Sequence, residues 1–461
     1  MSYRNYTGLL SFALLLCCLG SCKKYLDVGE PATQLNGNAV FENDNTAIAA
    51  QLAIYAAMES EGLAHTILIN TGISSDECTN HRTSVDATGL ATNNITPENS
   101  IINSIWTSLY KYIYQSNAVL EGVGKSKSIS GAVRNQLTGE ALFARAFCHF
   151  YLVSLFGNIP VITTTDPVIN AVARQKTTAE TYAAIQEDLI LSKQLLSPQY
   201  VAANNTVTTE RVRPNKFTAA ALLARIYLST GQWTAAETEA DSLINLSSVY
   251  SLTTNLNNVF LKNSSETIWQ LMAVLPKFNS YTGGFIQPAG TPSLISLTPQ
   301  LIATFLPADN RKAAWTKNVT VGVQSYTYPY KFKVGQNAAS VTEYTMVFRL
   351  GEQYLIRAEA RGRQNKLNEA RSDLNAIRNR AGLPNTTALS QAELLLAIGI
   401  ERSLELFAEF GDRWLDLKRT GNADLVMPGI KGSSWTTNDQ LYPIPQNEII
   451  RNPNLLQNPG Y

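Results

Sequence analysis

The chain has 461 residues, 45% of them hydrophobic and 16% charged, with a formal net charge of +1. That exceeds the roughly 100–200 residues of one ordinary domain and supplies enough apolar material for a large core. The near-neutral balance excludes a basic field for nucleic acid and an acidic field for cations.

At the N-terminus, Arg4 precedes an apolar run over residues 9–19, which ends in Leu19-Gly20-Ser21-Cys22. This is the three-part layout of a secretory signal peptide, expected over residues 1–21. The run is too short to span a bilayer as a permanent helix. A cysteine directly after small residues resembles a bacterial lipoprotein box, which implies cleavage before Cys22 and lipid on Cys22. Arg4 is the only charge that leaves with the signal, so the mature chain carries about zero. The mature chain, 22–461, is expected to be one globular unit anchored to a membrane. Beyond Cys22 only Cys78 and Cys148 remain, and one pair is not a disulfide framework. Cys148 lies in an apolar helical stretch and reads as a buried small hydrophobe.

The next segments read as helices. Residues 46–59 are rich in Ala and Ile and free of Gly and Pro. Over residues 103–123, Trp106, Leu109, Tyr110, Ile113 and Tyr114 recur at helical spacing. Residues 133–156 stop at Gly157-Asn158-Ile159-Pro160, and residues 178–196 stop before Pro198. Residues 216–230 and 233–245 form two helices around Gly231, with Leu223-Ala224, Tyr227 and Ala236 spaced as in a tetratricopeptide repeat. Residues 354–363 and 368–380 repeat that layout, with Ala358 and Ala370 at the small positions. Small residues are needed there because paired helices pack closely. The fold class is therefore mainly α: tetratricopeptide-like helical pairs forming a scaffold, with a loop-rich irregular half containing a few short strands. The irregular insertions fall near residues 73–99, 252–345 and 427–442. Long loops inside a compact domain are usually functional.

The C-terminal third carries the family signal. Ile377-Arg378-Asn379-Arg380-Ala381-Gly382-Leu383-Pro384 is followed by a helix read over residues 401–421, containing Glu405-Leu406-Phe407, Gly411-Asp412-Arg413-Trp414 and Leu417-Lys418-Arg419. Tyr442-Pro443-Ile444-Pro445, Asn452-Pro453-Asn454-Leu455 and Gln457-Asn458-Pro459-Gly460-Tyr461 close the chain. Together with Cys22-Lys23-Lys24-Tyr25-Leu26-Asp27 and Phe156-Gly157-Asn158-Ile159-Pro160, these stretches resemble the SusD/RagB family of Bacteroidetes outer-membrane lipoproteins. Asp412 departs from that pattern, which often has His there. The resemblance implies a cell-surface protein that captures glycans or oligosaccharides, or in some branches peptides. It implies a SusC-like TonB-dependent transporter as partner, and no catalysis. An interaction scaffold without a small ligand is the remaining alternative.

The residues agree with a non-catalytic reading. His65, His81 and His149 lack zinc-site spacing, and no nucleophile elbow or phosphate loop is present. Neither a cofactor nor a metal is expected. Glu401, Glu405 and Glu409 are spaced for one helix face, but Arg402, Arg413, Lys418 and Arg419 offer neutralising partners. Trp414 reads as a packing anchor, and Gly283-Gly284 as a flexible turn.

Sugar recognition needs flat apolar faces and directed polar groups. The first polar insertion offers Asp76, Glu77, Thr79, Asn80, His81 and Arg82. The stacking faces are expected from Tyr281, Phe285, Trp315, Tyr326 and Tyr328 in the long insertion, and from Trp435 in the last one.

Overall fold

The computed structural model describes residues 39–275, 279–335, 337 and 339–461. The signal segment and the proposed anchor Cys22 lie outside the described residues.

The chain enters α1 (Asp44–Ser60) through an Asn43 cap and continues into α2 (Leu63–Ser74), β1 (Cys78–Asn80) and α3 (Val85–Thr92). Two long helices follow, α4 (Ser100–Lys125) and α5 (Gly131–Phe156). The short β2 (Ile159–Pro160), α6 (Pro167–Asn170) and β3 (Gln175–Lys176) lead into α7 (Thr178–Leu195). The first repeat-like pair is α8 (Lys216–Ser229) and α9 (Trp233–Ile244). Gly231 turns the chain between them at φ +74°, a conformation in which a side chain is strained.

A long insertion then holds β4 (Thr267–Leu271), α10 (Tyr281–Ile286), β5 (Ile295–Leu297), α11 (Pro299–Thr304) and α12 (Asn310–Trp315). It continues through the hairpin β6 (Thr316–Val321) and β7 (Gln324–Pro329) to β8 (Thr345–Arg349). The second pair is α13 (Leu350–Arg363) and α14 (Leu367–Arg380). The chain closes with α15 (Gln391–Leu406), α16 (Asp412–Arg419), α17 (Ala423–Lys431) and α18 (Gln446–Arg451).

Neighbouring helices pack in a continuous series: α4 on α5, α5 on α7, α7 on α8, α8 on α9, α9 on α13, and α13 on both α14 and α15. The insertion therefore interrupts the sequence of the repeat but not its stacking. Ala224, Ala236, Ala240 and Ala360 are fully buried where the two pairs meet, so the helices approach closely. Ala358 and Ala370 do the same between α13 and α14. The expected small positions thus carry the helix contacts. Strands β4 and β8 pair antiparallel beside α5, where Trp269 lies within 5.0 Å of Phe143 and 5.9 Å of Phe348. This aromatic cluster joins the insertion to the helical scaffold.

Ion pairs bind the same junction. Arg311 contacts Glu401 at 2.7 Å and Glu405 at 3.0 Å, and Arg349 contacts Glu409 at 2.7 Å. Lys331 reaches Glu409 at 2.6 Å, and Arg380 binds Glu405 and Glu266. The carboxylates are paired as expected, but not by Arg402, Arg413, Lys418 and Arg419. Their partners come from distant segments, because residues 401–421 do not form one helix. After Leu406 the chain breaks at Ala408 (φ 50°) and Gly411 (φ 82°) before α16.

Three further expectations need correction. The stretch 73–99 contains α3, which Ser84 caps and in which Ala87 and Leu90 are buried; its Ser, Thr and Asp content reads as loop. Within 427–442, residues up to Lys431 belong to α17, where buried Met427 anchors a helix despite Pro428. Gly283 and Gly284 lie inside α10, and a Cβ on Gly283 would meet Val334 O at 2.9 Å. Cys148 is buried in α5 as expected; Cys78 is buried as well, and both are free thiols.

Candidate functional site

The site begins with β1. It pairs antiparallel with β5, setting Thr79 opposite Ser296 and Asn80 opposite Ile295. The ladder continues as His81 N donates to Leu294 O at 2.9 Å and Thr298 N to Glu77 O at 2.9 Å. Successive side chains of a strand point to opposite faces. Thr79 and His81 therefore share one face, and Asn80 and Arg82 the other.

On the first face, β7 packs against β5 and brings in Tyr326. A cleft of about 500 Å³ opens there, lined by Thr79, His81, Ser296, Lys312, Ser325 and Tyr326 among others. The His81 Nε2 lies 2.8 Å from Ser296 Oγ. Its ring meets Tyr326 edge-on, with centroids 5.3 Å apart and planes at 88°. Burial lowers the His81 pKa, which favours neutral imidazole at pH 7. The cleft thus combines a part-exposed phenol ring with hydroxyls, an amide from Gln324 and the exposed Lys312 ammonium. That is the chemistry sugar hydroxyls require: a flat face flanked by donors and acceptors.

On the second face, Arg82 Nη2 donates to Asn70 Oδ1 at 2.8 Å, and Arg82 Nε to Asn80 Oδ1 at 3.3 Å. Nearby, His65 packs against Tyr281 (5.5 Å) and Phe285 (5.8 Å), whose own centroids are 4.7 Å apart. Burial first, then the Arg82 charge, depress the His65 pKa to about 4.

The remaining candidates lie elsewhere or are occupied. Trp315 is fully buried; its Nε1 donates to Leu256 O at 3.0 Å, and Lys331 sits 4.9 Å from its ring centre. It is a core residue and offers no face to a ligand. Tyr328 is 4% exposed, because β7 turns into the body of the protein there. Asp76 is held by Arg413 in a two-pronged pair at 2.8 and 2.7 Å. Glu77 is buried, with no hydrogen-bond partner on Oε1 among the described residues; burial first, then the neighbouring Asp76 charge, push its carboxyl up to about 8. Trp435 bonds Asp424 at 3.0 Å and packs edge-on to buried Trp414, away from the cleft. Sequence reasoning missed Ser296, Lys312 and Gln324. Nothing local marked Lys312.

Asp412, the position that departs from the family pattern, is buried 3.4 Å from Arg225, and burial raises its pKa. Arg225 in turn binds Glu352 at 2.7 and 2.8 Å, joining α8, α13 and α16.

A stacked-helix scaffold with a ligand-sized cleft in its strand-and-loop insertion defines a helical-repeat binding protein. Residues 24–228 match the family profile described as "Starch-binding associating with outer membrane", and residues 310–461 match that of the SusD family. The chain belongs to the SusD/RagB family. SusD-like protein P2 of Formosa agariphila is 27% identical, covering 98% of this chain and 99% of that one. A SusD superfamily protein from Bacteroides vulgatus superposes with a TM-score of 0.80 at 18% identity, over 91% of this chain and all of that one. A laminarin-binding SusD-like protein gives 0.76 at 24% identity, again over 91% of this chain and all of that one. Surface glycan-binding protein A from Bacteroides uniformis gives 0.76 at 21% identity, over 90% of this chain and 99% of that one.

Proposed function

We propose that this protein captures a glycan or oligosaccharide at the cell surface and passes it, unaltered, to a SusC-like TonB-dependent transporter. In this reading Cys22 carries the lipid that holds it to the outer membrane. Among the described residues no helix is long and apolar enough to cross a membrane. The observation that carries the reading is the cleft between β1, β5 and β7. There Tyr326 provides a ring face and Thr79, His81, Ser296 and Ser325 provide polar groups within one concavity. The laminarin-binding and surface glycan-binding proteins of the same fold support a carbohydrate ligand. The paired state of Glu401, Glu405 and Glu409 supports binding without catalysis, because each is tied to Arg or Lys.

The test is affinity electrophoresis of the lipid-free chain, residues 23–461, against a panel of soluble polysaccharides. Retardation by at least one neutral glycan is expected. A folded protein that no glycan retards, but that binds peptides in a parallel screen, contradicts the glycan reading.

A further inference from the structure

A second concavity lies on the helical scaffold and shares no residue with the cleft at Tyr326. Its volume is about 420 Å³, within the range of small-molecule sites. Phe150 and Val153 of α5, Leu415 of α16, and Leu441 give it apolar walls, while Tyr182 of α7 and Thr437 border it with hydroxyls. Lys418 and Arg419 bring in two cations, and no Asp or Glu is among the lining residues.

The two cations differ in their partners. Arg419 is neutralised by Asp416 at 2.7 Å and by Glu359 at 2.9 and 2.7 Å. Among the described residues Lys418 has no such carboxylate. Its Nζ donates to the Ser154 carbonyl and lies 5.2 Å from the Trp414 ring centre. Lys193 and Lys331, by contrast, each hold a carboxylate at 2.6 Å. A withdrawn ammonium without a counter-charge is costly unless it is paired. We infer that this concavity is a binding site for a small carboxylate with an apolar or ring body, whose anionic group pairs with Lys418. Burial already lowers the Lys418 pKa to about 7, and an incoming carboxylate would oppose that shift. The apolar walls take the body of the ligand, and the Tyr182 and Thr437 hydroxyls complete its polar contacts.

Titration calorimetry on the mature chain tests this with two acids and their neutral counterparts: glucuronate against glucose, and benzoate against benzyl alcohol. At least one acid should bind tenfold or more tightly than its neutral counterpart; which acid does so tells a sugar acid from an aryl acid. Lys418→Met should weaken that binding at least tenfold. Because Lys418 also anchors Ser154, Thr437→Trp serves as a second variant, placing bulk at an exposed position on the rim; it too should weaken the acid. Both variants should keep the polysaccharide affinity of the parent, which separates this site from the one proposed above. The inference is overturned if neither acid outbinds its neutral counterpart. It is equally overturned if a folded Lys418→Met or Thr437→Trp chain binds the acid as the parent does.

Discussion

Trp315 precedes and Tyr326 lies within the same hairpin, and the two play opposite parts. The Trp315 ring is enclosed by Phe260, Lys331, Arg349 and Arg380 and has no exposed edge. Trp315→Ala should therefore cost about 3–5 kcal/mol of stability through the cavity it leaves. Urea unfolding measures this, and a loss under about 1 kcal/mol would contradict the burial. Glu77 supports a prediction of a different kind. Its folded carboxyl titrates near 8, above the usual carboxylate value, so the folded state holds a proton that the unfolded state releases. Stability contributed by that proton is present below about pH 4.5 and is lost as pH rises towards 8. Glu77→Gln, which keeps a neutral side chain, should thus raise the melting temperature relative to the parent at pH 8.5, with the gap shrinking at pH 5. A gap that grows on acidification would reverse the sign and refute it. At this scale, composition and order made Thr79, His81 and Tyr326 candidates for a sugar site. They could not separate Tyr326 from Trp315, because burial is decided by packing from segments far apart in the chain.

At the scale of elements, period and caps made the long helices legible. The stripe through Trp106, Leu109 and Ile113 marks α4, and the Gly-Asn-Ile-Pro stop marks the end of α5. The segments that escaped lack that contrast. Helix α2 is buried on nearly every side, so its sequence shows no polar face. Strand β1 is three residues long, and its partner β5 lies more than two hundred residues later, a pairing no local pattern announces. The break before α16 was hidden by charges at helical spacing, although Gly411 was its one local sign. Its φ of 82° is unfavourable for any side chain, and an added Cβ would fall 2.9 Å from Thr71 Oγ1. Gly411→Ala should lower stability by about 1–3 kcal/mol in equilibrium unfolding. An unchanged midpoint would mean that the α2–α16 contact adapts freely.

For the whole molecule, the repeat is one stack interrupted by a long excursion. Helices α9 and α13 pack directly, although strands β4 to β8 lie between them in sequence. A helical body, pinned by buried Arg–Glu pairs, carries the short strands whose side chains meet at the cleft. Architecture and family were legible because helical periodicity and the C-terminal motifs are local. The cleft was only half legible, because the β1–β5–β7 arrangement assembles it. The proposed anchor at Cys22 belongs to this scale too. Cys22→Ala should shift the protein from the outer-membrane fraction to a soluble one in cell fractionation, and full retention in the membrane would contradict lipid attachment.

The most direct test of the central claim is titration calorimetry of the parent and Tyr326→Ala chains with the glycan that retards the parent most. Loss of the ring face should weaken binding about tenfold, equivalent to about 1.4 kcal/mol, at an unchanged melting temperature. Equal affinity in the two chains would remove the cleft between β1, β5 and β7 from glycan recognition.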